Sequence, residues 1–154
     1  MPEPTITESG CTCFSLRRLT RTVSRLYDLH LAEAGLRTTQ YSLLRWIATE
    51  SLPVATLAAK LSTERTTLTR TLKPLIDSGW VVLAPGADSR QRIVTITPGG
   101  RAAIKAAKQA WRRAQSELEQ ALGSASVSAL HRQLDHALVQ LAPLVERHAH
   151  AHQG

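Results

Sequence analysis

The residues with the clearest chemistry lie in one short segment, residues 65–73. Outside its apolar positions this segment carries hydroxyls and long cations, at Arg65, Thr66, Thr67, Thr69, Arg70 and Lys73. Threonine is a weak helix former, so three threonines at the start of a predicted helix indicate selection for contact. Hydroxyls and guanidiniums suit phosphates and base edges, and the threonine methyl suits thymine. The segment therefore predicts readout of duplex DNA in the major groove, the alternative being a core helix with an arbitrary surface.

A second cluster follows at residues 88–92, with the sequence Asp-Ser-Arg-Gln-Arg. It lies between two segments rich in β-branched residues, 80–84 and 92–97, so the pattern predicts the tip of a β-hairpin. Arg90, and less directly Arg92, would enter a minor groove, where a narrow groove concentrates negative potential. Asp88 is close enough to brace Arg90 in an extended pose. Taken alone, the cluster is also typical of an ordinary charged hairpin.

The charge of the chain indicates a polyanionic partner. The 154 residues include 19 Lys and Arg against 12 Asp and Glu, a formal charge of +7. The excess lies between residues 60 and 113, which hold eleven basic and three acidic residues. Such a balance favours nucleic acid or an anionic membrane surface, and the 4% of aromatic residues argues against stacking on single strands. The rival function is a basic helical interaction protein that binds a membrane or an acidic protein.

The sequence predicts neither an enzyme nor a cofactor. It holds no glycine-rich phosphate loop and no carboxylate pair. His148, His150 and His152 have spacing that could bind a metal, but alternating His and Ala at a chain end is more typical of a frayed terminus, and no metal is predicted. No apolar run approaches the roughly 18–20 residues that span a bilayer, and the polar residues 1–10 lack a secretory signal. The expectation is a cytoplasmic protein without membrane contact.

Apolar periodicity predicts the elements that position these residues. Four helices precede the hairpin and two follow it; their predicted ranges are 14–34, from Thr38 or Thr39 to before Pro53, 54–61, from 63 or 64 to 78, 98–122, and from Ser126 or Ser128 onward. Two short helices followed by a two-stranded hairpin form a winged helix-turn-helix. The predicted fold class is therefore mainly α, with a two-stranded β wing and long terminal helices. Thr38, Thr39 and Gln40 at a helix N-terminus, together with Lys73, are candidate phosphate contacts.

The terminal helices carry apolar stripes that this small module does not need. One stripe runs from Leu16 to His30 and the other from Val127 to Val145. A stripe left over on a terminal helix is most simply buried by a second copy of the chain. The prediction is one domain over residues 1–154, with the winged helix-turn-helix at 36–97 and dimerisation helices at 12–35 and 98–150.

The same segments carry a family resemblance. Together they resemble the MarR family of bacterial transcriptional regulators over roughly residues 14–148; the matching segments are 57–61, 65–70, 75–81, 88–92 and 96–100. Ile96 stands where the family usually has Leu. The resemblance implies a triangular homodimer that binds palindromic duplex DNA, with repression usually relieved by a ligand or an oxidant.

The N-terminal cysteines resemble one branch of that family, the organic-hydroperoxide sensors, in which a Cys followed by Phe opens the first helix. The resemblance implies that Cys13 is the sensing thiol and that Tyr27 hydrogen-bonds its sulfur. Thr38 stands at the position of a second tyrosine, and the resolving thiol would be Cys11 or an external one. A structural Cys13 is the alternative.

The family resemblance also implies a ligand pocket between the first, second and fifth helices. Tyr27, Tyr41 and Trp46 are its candidate lining residues, and a small aromatic molecule is the candidate inducer. The sequence alone leaves open whether an oxidant or such a ligand is the signal.

Overall fold

The computed structural model describes residues 10–88 and 90–151. Within these residues it contains six α-helices, one 3₁₀ turn and three strands. In chain order these are α1 (Thr12–Leu31), the 3₁₀ turn (Ala32–Ala34), α2 (Thr38–Thr49), β1 (Leu52–Pro53), α3 (Val54–Lys60), α4 (Arg65–Asp77), β2 (Val81–Pro85), β3 (Arg92–Ile96), α5 (Pro98–Leu122) and α6 (Ser124–Ala151). The mainly helical winged fold predicted from the sequence is thus confirmed.

The chain divides into two compact units, one up to Ala114 and one from Gln115 onward. The first contains the helix-turn-helix and the sheet, and the second contains the end of α5 and all of α6. The proposed single domain over residues 1–154, with its dimerisation parts, remains a prediction. No helix in the described part of the chain is long and apolar enough to cross a membrane.

The sheet has one strand more than the sequence predicted. Its order is β1-β3-β2, all antiparallel, with Val81 opposite Ile96 and Leu52 opposite Val94. The prediction of a two-stranded wing missed β1 because two residues are too short to show an alternating pattern. Pro53 is tolerated there because β1 is an edge strand, where one amide can lack a ladder partner.

The start of α2 also differs from the prediction. Neither Thr38 nor Thr39 caps the helix; Arg37 is the N-cap residue, and its backbone N–H donates to Oε1 of Gln40 at 2.9 Å. The backbone N–H of Thr38 donates to Oδ1 of Asp28 in α1 at 2.6 Å. A carboxylate from another helix thus satisfies an amide at the positive end of α2, and this contact is invisible to local sequence patterns.

The core of the first unit follows the predicted apolar faces. Much of it is formed by α2 to α4 and the sheet, whose buried side chains include Leu43, Leu44, Ile47, Leu57, Ala58, Leu68, Leu72, Leu75, Val81 and Val94. Ile76, next to Leu75 near the end of α4, is only half-buried. A ring contact, with centroids 6.4 Å apart, joins Tyr41 of α2 to Trp111 of α5.

The terminal helices keep much of their apolar surface exposed. In α1, Leu16 and Leu19 are exposed, while His30 is half-buried. Helix α6 begins at Ser124, earlier than predicted, and continues through Pro143. Val127 is buried, but further along α6 Leu138 is 63% exposed and Val145 is 68% exposed. These apolar faces are therefore not buried by other parts of the described chain.

Helix α5 starts in very close contact with the chain that leads into β2. A Cβ atom added at Gly100 would lie 2.2 Å from the carbonyl oxygen of Trp80 and 2.7 Å from Cγ1 of Ile96. Thr97 caps α5, since its Oγ1 accepts from the Gly100 N–H at 3.1 Å. The same hydroxyl donates to the carbonyl of Gly79 at 2.7 Å. Glycine at position 100 is therefore required by packing.

We predict that Gly100→Ala lowers the free energy of unfolding by about 1–3 kcal/mol, because the backbone must move to admit the methyl group. Urea denaturation measures the change. Gly99→Ala is the matched control, since a Cβ there meets nothing nearer than 3.5 Å and alanine favours the helix. Equal stability of the two variants would contradict the packing constraint.

Candidate nucleic-acid interface

Helix α4 brings together six residues that the sequence singled out. Leu68, Leu72 and Leu75 face the core, which turns the remaining positions toward solvent. The exposed set is Arg65, Thr66, Thr67, Thr69, Arg70 and Lys73. The turn from Leu61 to Glu64 joins α3 to this helix, so the pair has the order of a helix-turn-helix whose second helix presents a cationic, hydroxyl-rich surface.

The threonines of α4 do not all offer the same chemistry. The hydroxyl of Thr69 donates to the carbonyl of Arg65 at 2.8 Å, so toward a ligand it can only accept a hydrogen bond or present its methyl group. The hydroxyls of Thr66 and Thr67 make no such bond within the described residues and remain able to donate or accept. The helix therefore offers both adaptable and fixed hydroxyls to base edges and phosphates.

Lys73 has a partner that the sequence reading missed. Its Nζ lies 2.8 Å from Oδ2 of Asp77, one turn on, and both side chains are exposed. The signal was present, since Lys and Asp stand four residues apart in a predicted helix. Because an exposed pair of this kind contributes little to stability, a phosphate can compete with Asp77 for Lys73.

The loop between β2 and β3 holds Arg90 at the tip of the wing. Oδ1 of Asp88 accepts from the backbone N–H of Arg90 at 3.0 Å, and the N–H of Gln91 donates to the carbonyl of Asp88 at 2.9 Å. Asp88 thus braces the backbone of Arg90, which differs from the side-chain brace expected from the sequence. Arg90 and Arg92 both remain exposed, so their guanidiniums are available to a polyanion.

The N-terminus of α2 offers less to a phosphate than the sequence indicated. The N–H of Thr38 is taken by Asp28, whose carboxylate also adds negative charge there. The side chain of Gln40 is engaged by Arg37. Thr39 is exposed and Thr38 is half-buried, and the hydroxyls of both make no hydrogen bond within the described residues.

A cavity of about 410 Å³ opens between α1, α2, α4 and the turn before α4. Six hydroxyl side chains and four apolar ones line it: Ser24, Thr38, Thr39, Ser42, Leu43, Trp46, Leu61, Thr63, Leu68 and Thr71. Trp46 is thus the member of the predicted pocket that the structure places at this cavity. Tyr27 and Tyr41 do not line it; both are buried, and the Tyr41 hydroxyl has no hydrogen-bond partner in the described structure.

The two cysteines stand at the start of α1. Cys11 is its N-cap residue and Cys13 its second residue, and both are free and exposed. Tyr27 lies fourteen residues further along the same helix, a rise of about 21 Å. The structure therefore does not bring Tyr27 to Cys13 of its own chain, and only a second copy could supply that contact.

No group of three His, Cys, Asp or Glu side chains in the described part of the chain is placed to hold a metal ion. The side chain of His150 and all of His152, which belong to the histidine-rich tail, lie outside the described residues. Metal binding by this tail therefore stays an alternative that only the sequence raises.

Comparisons with known proteins agree with this arrangement. Residues 34–91 match a model of the MarR family. The transcriptional regulator MosR of M. tuberculosis, solved in complex with DNA, is 34% identical over 86% of this chain and 98% of its own, with a TM-score of 0.74. A mutant of MarR from E. coli, complexed with operator DNA, is 26% identical over 80% of this chain and 90% of its own, with a TM-score of 0.72.

A third similar structure is the oxidised form of MarR from E. coli. It is 25% identical over 83% of this chain and 94% of its own, with a TM-score of 0.68. No curated protein matches the chain. The one-third identity to MosR over nearly its whole length, together with the family match over residues 34–91, shows that this chain belongs to the MarR family of DNA-binding transcriptional regulators.

Proposed function

We propose that this regulator is a sequence-specific repressor that binds a palindromic DNA operator as a homodimer and is released by a small ligand or by oxidation of Cys13. The observation that most directly supports this proposal is the surface formed by the exposed face of α4 and the arginines of the wing. This surface belongs to a fold that MosR and MarR share in structures containing DNA.

Within this proposal, α4 and the wing divide the recognition of DNA. Five residues of α4 read base edges in the major groove: Arg65, Thr66, Thr67, Thr69 and Arg70. An arginine there can hydrogen-bond two acceptors of guanine at once. Arg90 and Arg92 enter the minor groove. Phosphates are contacted by Lys73 and by Thr38 and Thr39 at the start of α2. These contacts set the register of the protein on the duplex but carry no sequence information.

The homodimer is supported by the uncovered apolar faces of the terminal helices. A helix that exposes Leu138, Leu141 and Val145 along its length carries a contiguous apolar surface of the kind that marks an interface. A two-fold dimer would present two copies of α4 about one helical turn of DNA apart, roughly 34 Å. The half-sites of a palindrome have this spacing.

Release by a small aromatic ligand is supported by the cavity beside α4. Leu68 and Thr71 of α4 lie in its wall together with Trp46 of α2. An occupant that packs on Trp46 would therefore press on the helix that reads DNA. Because both half-sites must fit one duplex, a small displacement of α4 lowers operator affinity.

Release by oxidation is supported by the exposure of Cys13 at the positive end of α1, with Arg17 one turn further on. A hydroperoxide would convert the Cys13 thiolate to a sulfenic acid and leave as the alcohol. The sulfenic acid would then condense with the thiol of Cys11, or with an external thiol, forming a disulfide and releasing water. This is the chemistry of the hydroperoxide-sensing branch that the sequence resembles.

We expect Arg90→Ala to weaken operator binding by about 1–3 kcal/mol, because a minor-groove contact is lost. Fluorescence anisotropy with a duplex selected from the source genome measures the change. Arg132→Ala, which removes an equal charge from α6, controls for the loss of net charge and should bind nearly as wild type. An Arg90→Ala protein of undiminished affinity would show that the wing tip does not contact DNA.

We expect sedimentation at micromolar concentration to give about twice the chain mass of 16.8 kDa. The double variant Leu138→Asp/Leu141→Asp should shift toward monomer, because buried carboxylates strongly oppose association. Gln140→Asp, an exposed change on the same helix, should remain dimeric. A wild-type protein that sediments as a monomer would rule out the homodimer.

We expect cumene hydroperoxide to abolish operator binding by the wild type, and dithiothreitol to restore it. Cys13→Ser should keep its operator affinity under oxidant. Cys11→Ser should still undergo the first oxidation step, in which Cys13 becomes a sulfenic acid. The measurement is anisotropy during peroxide titration, with mass spectrometry of the thiols. If wild type and Cys13→Ser both retain binding, oxidation is not the signal and the cavity beside α4 is the site of control.

A further inference from the structure

One strongly charged surface takes no part in the function proposed above. In α5, the cations Arg101, Lys105, Lys108 and Arg112 follow one another at intervals of four, three and four residues. At 3.6 residues per turn these positions fall within an arc of about 60° and extend for about 16 Å along the helix. All four side chains are exposed; we call this set the α5 stripe.

The α5 stripe carries charge that its surroundings do not neutralise. No acidic residue occurs between Gly99 and Ser116, and no acid in the described residues pairs with the four cations. Arg101 bonds only a neutral group, the carbonyl of Ala48, at 3.4 Å. The adjacent Arg113 lies off the stripe and forms an ion pair with Glu33. Along α5, the cation that has an acidic partner is therefore the one that lies off the stripe.

Local energetics oppose this arrangement in two ways. Like charges three or four residues apart repel each other along a helix, and the stripe contains three such successive pairs. The first of its cations, Arg101, also lies near the helix N-terminus, where the macrodipole favours anions. A sequence chosen for helix stability would place Glu at some of these positions. Local rules broken without compensation are expected at functional sites.

We infer that the α5 stripe binds the sugar–phosphate backbone of a second stretch of duplex DNA, separate from the operator on α4. Charge complementarity favours this occupant, because duplex DNA carries one phosphate charge per about 1.7 Å of its axis. Four cations over about 16 Å match such a uniform line of charge without any apolar anchor among them. The inference rests on the proposed DNA-binding function only in assigning the operator to α4.

The fold places the stripe away from the reading end of α4. Thr97, immediately before α5, bonds the carbonyl of Gly79, which follows the C-terminal end of α4. Recognition helices contact bases with their N-terminal residues, here Arg65 and Thr66, and α4 is 13 residues long, or about 20 Å. The stripe therefore begins near the end of α4 that lies opposite Arg65 and Thr66.

The test uses the full-length protein saturated with unlabelled operator and then titrated with a labelled duplex that lacks the operator. Lys105→Gln/Lys108→Gln should reduce affinity for the second duplex at least tenfold at about 50 mM salt. The slope of log affinity against log salt should fall by about 1.8 per protomer, since each phosphate contact contributes about 0.9. Operator affinity should stay within about twofold of wild type.

The matched control is Arg132→Gln/Arg147→Gln, which removes the same charge from exposed positions of α6. It should bind the second duplex as wild type does. The thermal midpoint of Lys105→Gln/Lys108→Gln should be no lower than that of wild type, because the change relieves repulsion between like charges. This readout excludes misfolding as the cause of lost binding.

Three results would overturn the inference. One is equal binding of the second duplex by wild type and Lys105→Gln/Lys108→Gln. Another is a parallel loss of operator affinity, which would place the stripe on the operator surface. The third is binding of polyaspartate without binding of duplex, which would indicate an acidic protein partner. If the chain binds no operator at all, the same titration with non-operator duplex alone still tests the stripe, separately from the proposed function.

Discussion

The close approach of α5 to the entry of β2 is the constraint on which the DNA-binding unit depends. Gly100 packs so near the carbonyl of Trp80 that no side chain fits between them. Thr97 joins the same place by donating its hydroxyl to Gly79 and its N–H to the Trp80 carbonyl. Since α4 ends just before Gly79 and β3 just before Thr97, one junction fixes the recognition helix, the wing and α5 relative to each other.

The junction also gives a fixed base to the short wing, which we propose to enter the minor groove. The β-hairpin places Arg90 beyond the end of a ladder only five pairs long, and Asp88 fixes the backbone at that tip. Long arginine side chains lose conformational entropy when they bind. A backbone that is already fixed reduces the total entropy lost on binding. The short edge strand β1 supports the ladder from the other side of β3.

Much of this arrangement could be predicted from the sequence, since periodicity and turn residues mark long elements well. The positions of α4 and α5, the hairpin and the exposed face of α4 all followed from residues close in sequence. What the sequence could not show depends on contacts between distant residues. The pairing of Leu52 with Val94 made a third strand, Asp28 replaced a threonine cap at α2, and Leu68 came to line a cavity with Trp46.

In the function proposed above, the cavity places ligand control and DNA recognition in the same small unit. Leu68 is 2% exposed, yet it contributes to the cavity wall, so it belongs to the core and to the cavity at once. Because close-packed interiors transmit displacement rather than absorb it, an occupant that moves Leu68 moves α4. Thr67 and Thr69, which we propose to read base edges, flank Leu68 directly in the sequence. The proposed ligand effect on DNA binding needs no long pathway, since the turn of α4 that lines the cavity also carries the residues that we propose to face the groove.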